Sequence, residues 1–237
     1  MINNKTILAV ITARKGSKRL KNKNLIPLDK KPLIQWTIEE AIKSKYIDRL
    51  IISTDDENII SLASKFNGVT IPFIRPENLS SDKATSVDVI KHALSFYESN
   101  NIIFDYVLLL QPTSPLRICK DIDDSIQELS NEIKSVVSVC ETDHSPLWSN
   151  ELPENKSMKD FLPVSIKNLR SQDLPTFYRL NGAVYVSDVE YLIKENGFFG
   201  AKTKAYLMPK DRSIDIDNEL DLLFAESIIK SNSSNII

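Results

Sequence analysis

The segment SIDID ends in two carboxylates, Asp215 and Asp217, separated by one isoleucine. On an extended backbone residues i and i+2 share one side, so both acids could reach a single cation. An Asp-x-Asp at a helix start also serves as a plain N-cap, and spacing alone leaves both readings open. Near the opposite end of the chain, ARKGSKRLKNKN spans 13–24, and seven of its twelve residues are Arg, Lys or Gly. Arg14, Lys15, Lys18 and Lys23 would neutralise phosphates there, while Gly16 would let backbone amides come close. The alternative is a solvated lysine-rich turn. Neither GxxxxGK[ST] nor GxGxxG occurs, so this loop is neither a Walker loop nor a dinucleotide fingerprint. Gln111 follows five apolar residues and precedes Pro112. An amide at a strand's carboxyl end donates and accepts toward a ligand, or else bonds its own turn. Asp55-Asp56 reads as a capping strand-to-helix turn rather than a metal pair. Asn181-Gly182 fits turn chemistry, and Phe198-Phe199 by composition alone fits a core.

These residues need elements to hold them. Short runs rich in β-branched residues recur: ILAVITA from Ile7, RLIISTD from Arg49, VTIPFI from Val69, YVLLLQ from Tyr106, SVVSVCE from Ser135 and GAVYVS from Gly182. Near-continuous apolar strands suit a parallel sheet covered on both faces. Helical patterns lie between them: Pro32 stands at a first helical position ahead of Leu33, Ile34, Ile38, Ala41 and Ile42, and similar spacing runs over 58–66, 86–97 and 121–129. Alternating strand and helix predicts an α/β fold, doubly wound around a mostly parallel sheet. In such sheets ligands sit outside the carboxyl ends of the strands, where the basic loop and Gln111 both fall. A final amphipathic helix starts near Asp217 or Asn218, either of which could cap it, and the tail SNSSNII is expected to fray. The stretch 143–176 follows neither period and holds four prolines. So long a structureless loop is uncommon in a compact domain. We therefore expect one domain over 1–237 with an inserted arm at 143–176 that packs on something, such as a second subunit.

Bulk composition excludes some classes. With 42% hydrophobic and 26% charged residues the chain has the mix of a globular protein. A net charge of -2 provides no global field for a polyanion, so no nucleic-acid partner is expected, although 30 Lys and Arg leave room for a local basic site. No apolar stretch approaches the roughly 20 residues that span a bilayer, so no membrane association is expected. The apolar run 7–13 ends in a basic loop and reads as a first strand, not as a signal sequence. Cys119 and Cys140 lack metal-ligand spacing and read as buried, reduced thiols of a cytoplasmic protein.

The motifs resemble, in order and over nearly the whole chain, the CMP-sialic acid synthetases (acylneuraminate cytidylyltransferases), a family that includes CMP-legionaminate synthetases. The resemblance is carried by ARKGSKRLKNKN, STDDENI from Ser53, RPENLSSDKATSVDVI from Arg75, LLLQPTSPLR ending at Arg117, RSQDLPTFYRLNGAVYV from Arg170 and SIDIDNELDLLFAE from Ser213. It implies a Rossmann-like fold whose arm exchanges across a homodimer. It implies transfer of CMP from CTP, with magnesium, to the anomeric hydroxyl of a nine-carbon α-keto acid sugar, N-acetylneuraminate or diacetyllegionaminate. The alternatives are pseudaminate or Kdo as the sugar, or a non-catalytic sugar-nucleotide-binding protein. Carried over residue by residue, Ala13, Arg14, Lys23, Asn24, Arg75 and Ser86 match positions around CTP, and Gln111 matches one between nucleotide and sugar. Asn181, Tyr185, Phe198 and Phe199 match the sugar side, and Asp215 and Asp217 match the magnesium-binding pair. The resemblance casts Arg14, Lys23, Gln111 and Asp217 as catalytic. Four positions depart from the pattern. Lys15 and Arg19 stand where many relatives have smaller residues, usually glycine at the second, Ser171 where they place an arginine just before QxLP, and Trp148 where some sialate enzymes have lysine. Tryptophan there points toward a modified sugar.

Overall fold

The computed structural model describes residues 2, 4–17 and 19–234. Its framework is a seven-stranded sheet in which nearly every apolar run of the sequence is a strand. In chain order the first elements are β1 (Ile7–Thr12), β2 (Pro27–Leu28), β3 (Lys31–Pro32), α1 (Leu33–Ile42), β4 (Arg49–Ser53), α2 (Glu57–Ala63) and β5 (Val69–Thr70). Then come α3 (Glu77–Ser80), α4 (Ser86–Ser99), β6 (Tyr106–Leu110), α5 (Cys119–Gln127), β7 (Ser135–Glu141), β8 (Tyr178–Asp188), α6 (Val189–Glu195), β9 (Thr203–Leu207) and α7 (Glu219–Ser234). The sheet order is β5-β4-β1-β6-β8-β7-β9, and β2 pairs only with β3. All pairings in the large sheet are parallel except those of β8, which runs against both β6 and β7.

Period two along β1 explains the layers. Ile7, Ala9 and Ile11 join one core with Ile34 and Ile38 of α1, Ile59 of α2 and Ile122 of α5. Leu8 and Val10 face the opposite side and pack with Ile90 and Ala93 of α4 and Leu192 of α6. Helices thus cover both faces, which is what a strand without polar alternation requires. A third, smaller cluster joins Leu20, Leu28, Leu33, Ile216 and Ala225 and fastens α7 and the basic loop to the carboxyl edge.

The structure adjusts several boundaries. Pro32 caps α1 rather than opening it, a shift of one residue. VTIPFI yields strand only at Val69–Thr70, since Pro72 has no N–H for the ladder. The last apolar run lies within an eleven-residue strand, and β9 carried no recognised signal because its residues are half-buried or exposed at the sheet edge. The helical turns of α7 continue to Ser234, while 235–237, the end of the expected fraying tail, lie outside the described residues. The segment 143–176 links β7 to β8, whose ends pair Glu141 with Tyr178, and among its residues only short 3-10 turns form. Both cysteines are free, with Cys140 buried and Cys119 only half-buried at the first position of α5. No helix among the described residues is long and apolar enough to cross a membrane.

Candidate active site

The basic loop follows the carboxyl end of β1 and is pinned from within. Leu20 is buried in the small third core, and the Asn24 amide donates to the Arg14 carbonyl at 3.3 Å. Asp55 accepts from the Lys15 backbone at 2.7 Å, and Asp56 caps α2 through the Asn58 N–H, as its turn position suggested. Beyond the loop opens a cleft of about 400 Å³ lined by Thr12, Arg14, Arg19, Lys23, Gln111 and Asp217, among others. Among the described lining residues three cations face one carboxylate, a balance that suits a polyanion. Lys18 lies outside the described residues.

The acidic segment owes its orientation to the residue between the acids. Ile216 is fully buried in the third core, and its N–H donates to the Thr113 carbonyl at 2.7 Å. With Ile216 turned in, its two neighbours turn out. The cap of α7 belongs to Asn218, which accepts from Leu220 and Asp221, while Asp221 accepts back from the Asn218 N–H at 3.0 Å. The Asp217 carboxyl is therefore left to the cleft. Its Oδ1 accepts from Lys23 Nζ at 2.9 Å and its Oδ2 from Arg19 at 2.5 Å, and the Lys23 hydrogen bond leads in holding its pKa below the usual carboxylate value. Asp215 moves the other way. It keeps an open face, yet the protein around it removes enough water to push its pKa up, with Asp217 adding repulsion and a Thr113 hydrogen bond opposing. Two acids, one desolvated and each repelling the other, would both gain from a shared cation. Among the described residues no group of three His, Cys, Asp or Glu forms a metal cage.

Gln111 begins the turn after β6, and its carbonyl accepts from Arg117. That arginine is fully buried, reaching the Ala183 carbonyl at 2.8 Å and Thr37 Oγ1 at 2.6 Å, and burial lowers its pKa to about 9. The Gln111 side chain lies against Gly182 of β8. A second, smaller cavity shares Thr12 and Arg14 with the cleft and is lined by Arg75, Ser86 and Thr85. Arg75 donates to Ser53 Oγ and to the Ser53 carbonyl. Burial brings its pKa to about 10. Arg14 pairs with Asp82 at 2.6 Å and donates to the Ser80 carbonyl at 3.2 Å. Ala13 is buried, its N–H committed to the Ser53 carbonyl at 3.0 Å.

The residues matched to the sugar side divide. Tyr185 is half-buried; desolvation raises its pKa and Asp215 adds to that, which sets the phenol near the acid pair. Asn181 turns inward at 1% exposure, accepting from Ser138 at 2.6 Å and donating to Ser213 Oγ at 2.9 Å. Phe198 belongs to the core, its ring 5.4 Å from that of Tyr185, whereas Phe199 is exposed. Trp148 is half-buried in the first turn of the arm.

A family model described as "Cytidylyltransferase" matches residues 8–228. The chain belongs to the cytidylyltransferase family. It is 36% identical over 227 residues to a pseudaminic acid cytidylyltransferase of Campylobacter jejuni, covering 95% of this chain and 97% of that one. It is 33% identical over 238 residues to a CMP-N,N'-diacetyllegionaminic acid synthase of Legionella pneumophila, covering 98% and 99%. A solved CMP:2-keto-3-deoxy-manno-octonic acid synthetase complexed with CTP superposes with a TM-score of 0.69 at 15% identity, over 96% of this chain and 99% of the other. That likeness shows the shared Rossmann-like architecture.

Within this cytidylyltransferase the structure adds residues that sequence reasoning passed over. Thr113 supports both acids, through its carbonyl to Ile216 and its side chain to Asp215; it stands two residues after Gln111 in a motif where only the amide drew attention. Arg179 donates to the Ser213 carbonyl at 3.2 Å and lies close enough to Asp215 to stabilise its charge. Arg170, directly before Ser171, is exposed on the arm.

Proposed function

We propose that this enzyme transfers CMP from CTP to the anomeric hydroxyl of a nine-carbon α-keto acid sugar and releases pyrophosphate. The observation that carries the reading is the cleft in which Arg14, Arg19 and Lys23 converge with Asp217 and Gln111 at the carboxyl ends of β1 and β6. The sugar hydroxyl attacks the α-phosphorus and the bond to the β-phosphate oxygen breaks, so the chain's work is positioning and charge neutralisation. Arg14 and Lys23 stabilise the departing pyrophosphate, Arg75 and Ser86 hold the cytidine side, and Gln111 stands between nucleotide and sugar. Asp215 and Asp217 would hold magnesium. Two outward carboxylates, with no third metal-binding acid beside them among the described residues, suit an ion that takes one or two carboxylates plus substrate oxygens. When bound, that ion offsets charge on the triphosphate.

The arm is the proposed dimer contact. Leu152, Met158, Val164 and Leu169 expose apolar side chains along it, a pattern that marks an interaction surface. Cytoplasmic residence accords with two free cysteines. For the sugar, relatives named for pseudaminic acid and for diacetyllegionaminic acid match almost equally, so overall identity does not choose. Trp148, in place of a lysine, and the exposed Phe199 support a substrate of more methyl character, diacetyllegionaminate ahead of N-acetylneuraminate, while Phe198 belongs to the core. The test is CTP and magnesium with N-acetylneuraminate, diacetyllegionaminate, pseudaminate and Kdo in turn, read by mass spectrometry of the CMP product. One nonulosonate is expected to react best, with poorer analogues roughly 10- to 200-fold behind. No CMP-sugar and no pyrophosphate from any of them would leave a sugar-nucleotide-binding protein instead.

A further inference from the structure

Both oxygens of Asp217 are occupied by the protein's own cations, and the two cations are held differently. Lys23 is 14% exposed and also donates to the Ile216 carbonyl at 2.9 Å, so the fold fixes it. Arg19 is 73% exposed and reaches Asp217 at 2.5 Å from the solvent side. An exposed pair of this kind is weak and exchanges readily. Arg19 also lines the cleft beside Arg14 and Lys23, within reach of any polyanion that enters.

We infer that Arg19 is a tethered counter-cation that keeps Asp217 from taking a divalent metal until a triphosphate draws the guanidinium away. The inference rests on the reading of this cleft as the CTP and metal site. While Arg19 sits on Asp217, an arriving metal meets a positive charge as well as an occupied oxygen. A unit charge about 5 Å from a divalent ion in water lowers its affinity roughly 5- to 15-fold, allowing for salt. Once phosphates enter, the guanidinium exchanges one carboxylate oxygen for a phosphate oxygen, a partner it matches at least as well. Asp217 Oδ2 is then free, while Lys23 keeps Oδ1. Nucleotide thereby promotes metal uptake, and by linkage metal promotes nucleotide binding to the same degree. Arg19 is a positioning residue in this scheme, acting on the metal through Asp217.

The experiment uses Arg19→Gln, which keeps length and polarity but removes the charge. Mn²⁺ binding to the nucleotide-free protein is measured by electron paramagnetic resonance, and CTP binding in EDTA by calorimetry. The variant should bind Mn²⁺ roughly 5- to 15-fold more tightly than wild type and CTP several-fold more weakly. Weaker CTP with an unchanged Mn²⁺ titration makes Arg19 a phosphate contact alone and overturns the inference. Superimposable titrations of both ligands overturn it too. If both proteins bind CTP but neither takes Mn²⁺, the metal placement fails while the nucleotide site stands. If wild type binds neither ligand, the functional reading itself fails.

Discussion

Gly182 offers a direct test of whether the Gln111 amide takes part in the reaction. At φ +72° a Cβ built on this residue would lie 2.7 Å from Gln111 Oε1 and 3.0 Å from Ser114 Oγ. Ser114 is held by the Asn181 carbonyl at 2.8 Å, so in Gly182→Ala the glutamine amide must give way. Two costs follow. Left-handed backbone on alanine costs about 1–2 kcal/mol, equivalent to a fall of about 2–8 °C in Tm for a chain of this size. Displacing a positioning group by about 1 Å costs on the order of 100-fold in rate. Gly68 separates the two, because at φ +89° its Cβ would meet nothing within 4 Å. Gly68→Ala should therefore lose similar stability and keep full turnover, while Gly182→Ala loses both. Differential scanning fluorimetry and steady-state pyrophosphate release, with CTP and sugar varied separately, provide the readouts. Wild-type kcat and KM in a folded Gly182→Ala would remove Gln111 from the reaction path. Equal loss of turnover in Gly68→Ala would show that the effect was stability alone.

Lys23→Ala should lower kcat/KM for CTP roughly 10- to 150-fold, since a hydrogen bond to a charged group contributes about 1.5–3 kcal/mol; CTP kinetics equal to wild type would make Lys23 a structural partner of Asp217 only. EDTA should abolish turnover and added magnesium restore it, and Asp217→Ala should be inactive yet melt close to wild type because Asn218 provides the helix cap; wild-type turnover indifferent to EDTA refutes the metal role. Light scattering at micromolar concentration should report close to twice the 26.9 kDa chain mass, and a fully active monomer would refute the role given to the arm.

How much of this was legible in the sequence depended on which way each side chain turned. The runs that became β1 and β6 were readable because burial on both faces leaves them almost wholly apolar, with Thr12 at the carboxyl end of β1 the exception. The edge strand β9 was not, since Lys204, Ala205 and Leu207 face solvent and make no apolar pattern. Asn181 reads as a turn residue by type and as a sugar-side amide by resemblance, yet its polar atoms join Ser138 of β7 to Ser213 inside the protein. Arg117 is likewise one more basic residue in a functional motif until the structure shows it wholly buried, tying the Gln111 turn to α1 and β8. Composition reports which groups are available. Direction follows from packing partners far away in the chain.

The acid pair shows the same dependence working in favour of sequence reading. Its spacing was informative because the residue between the acids is isoleucine, and an isoleucine beside a small core has one favourable way to face. Ile216 enters that core with Leu20 of the basic loop and Leu28 of β2. The two halves of the cleft, nearly two hundred residues apart in sequence, thus share one packing unit, and a change in either apolar residue reaches both. Arg19 stands directly before Leu20 and Asp217 directly after Ile216, so the ion pair between them joins the immediate neighbours of two packed side chains. The pair is exposed on its arginine side, so a competing anion can replace the carboxylate, which is the role the triphosphate takes in the proposed reaction.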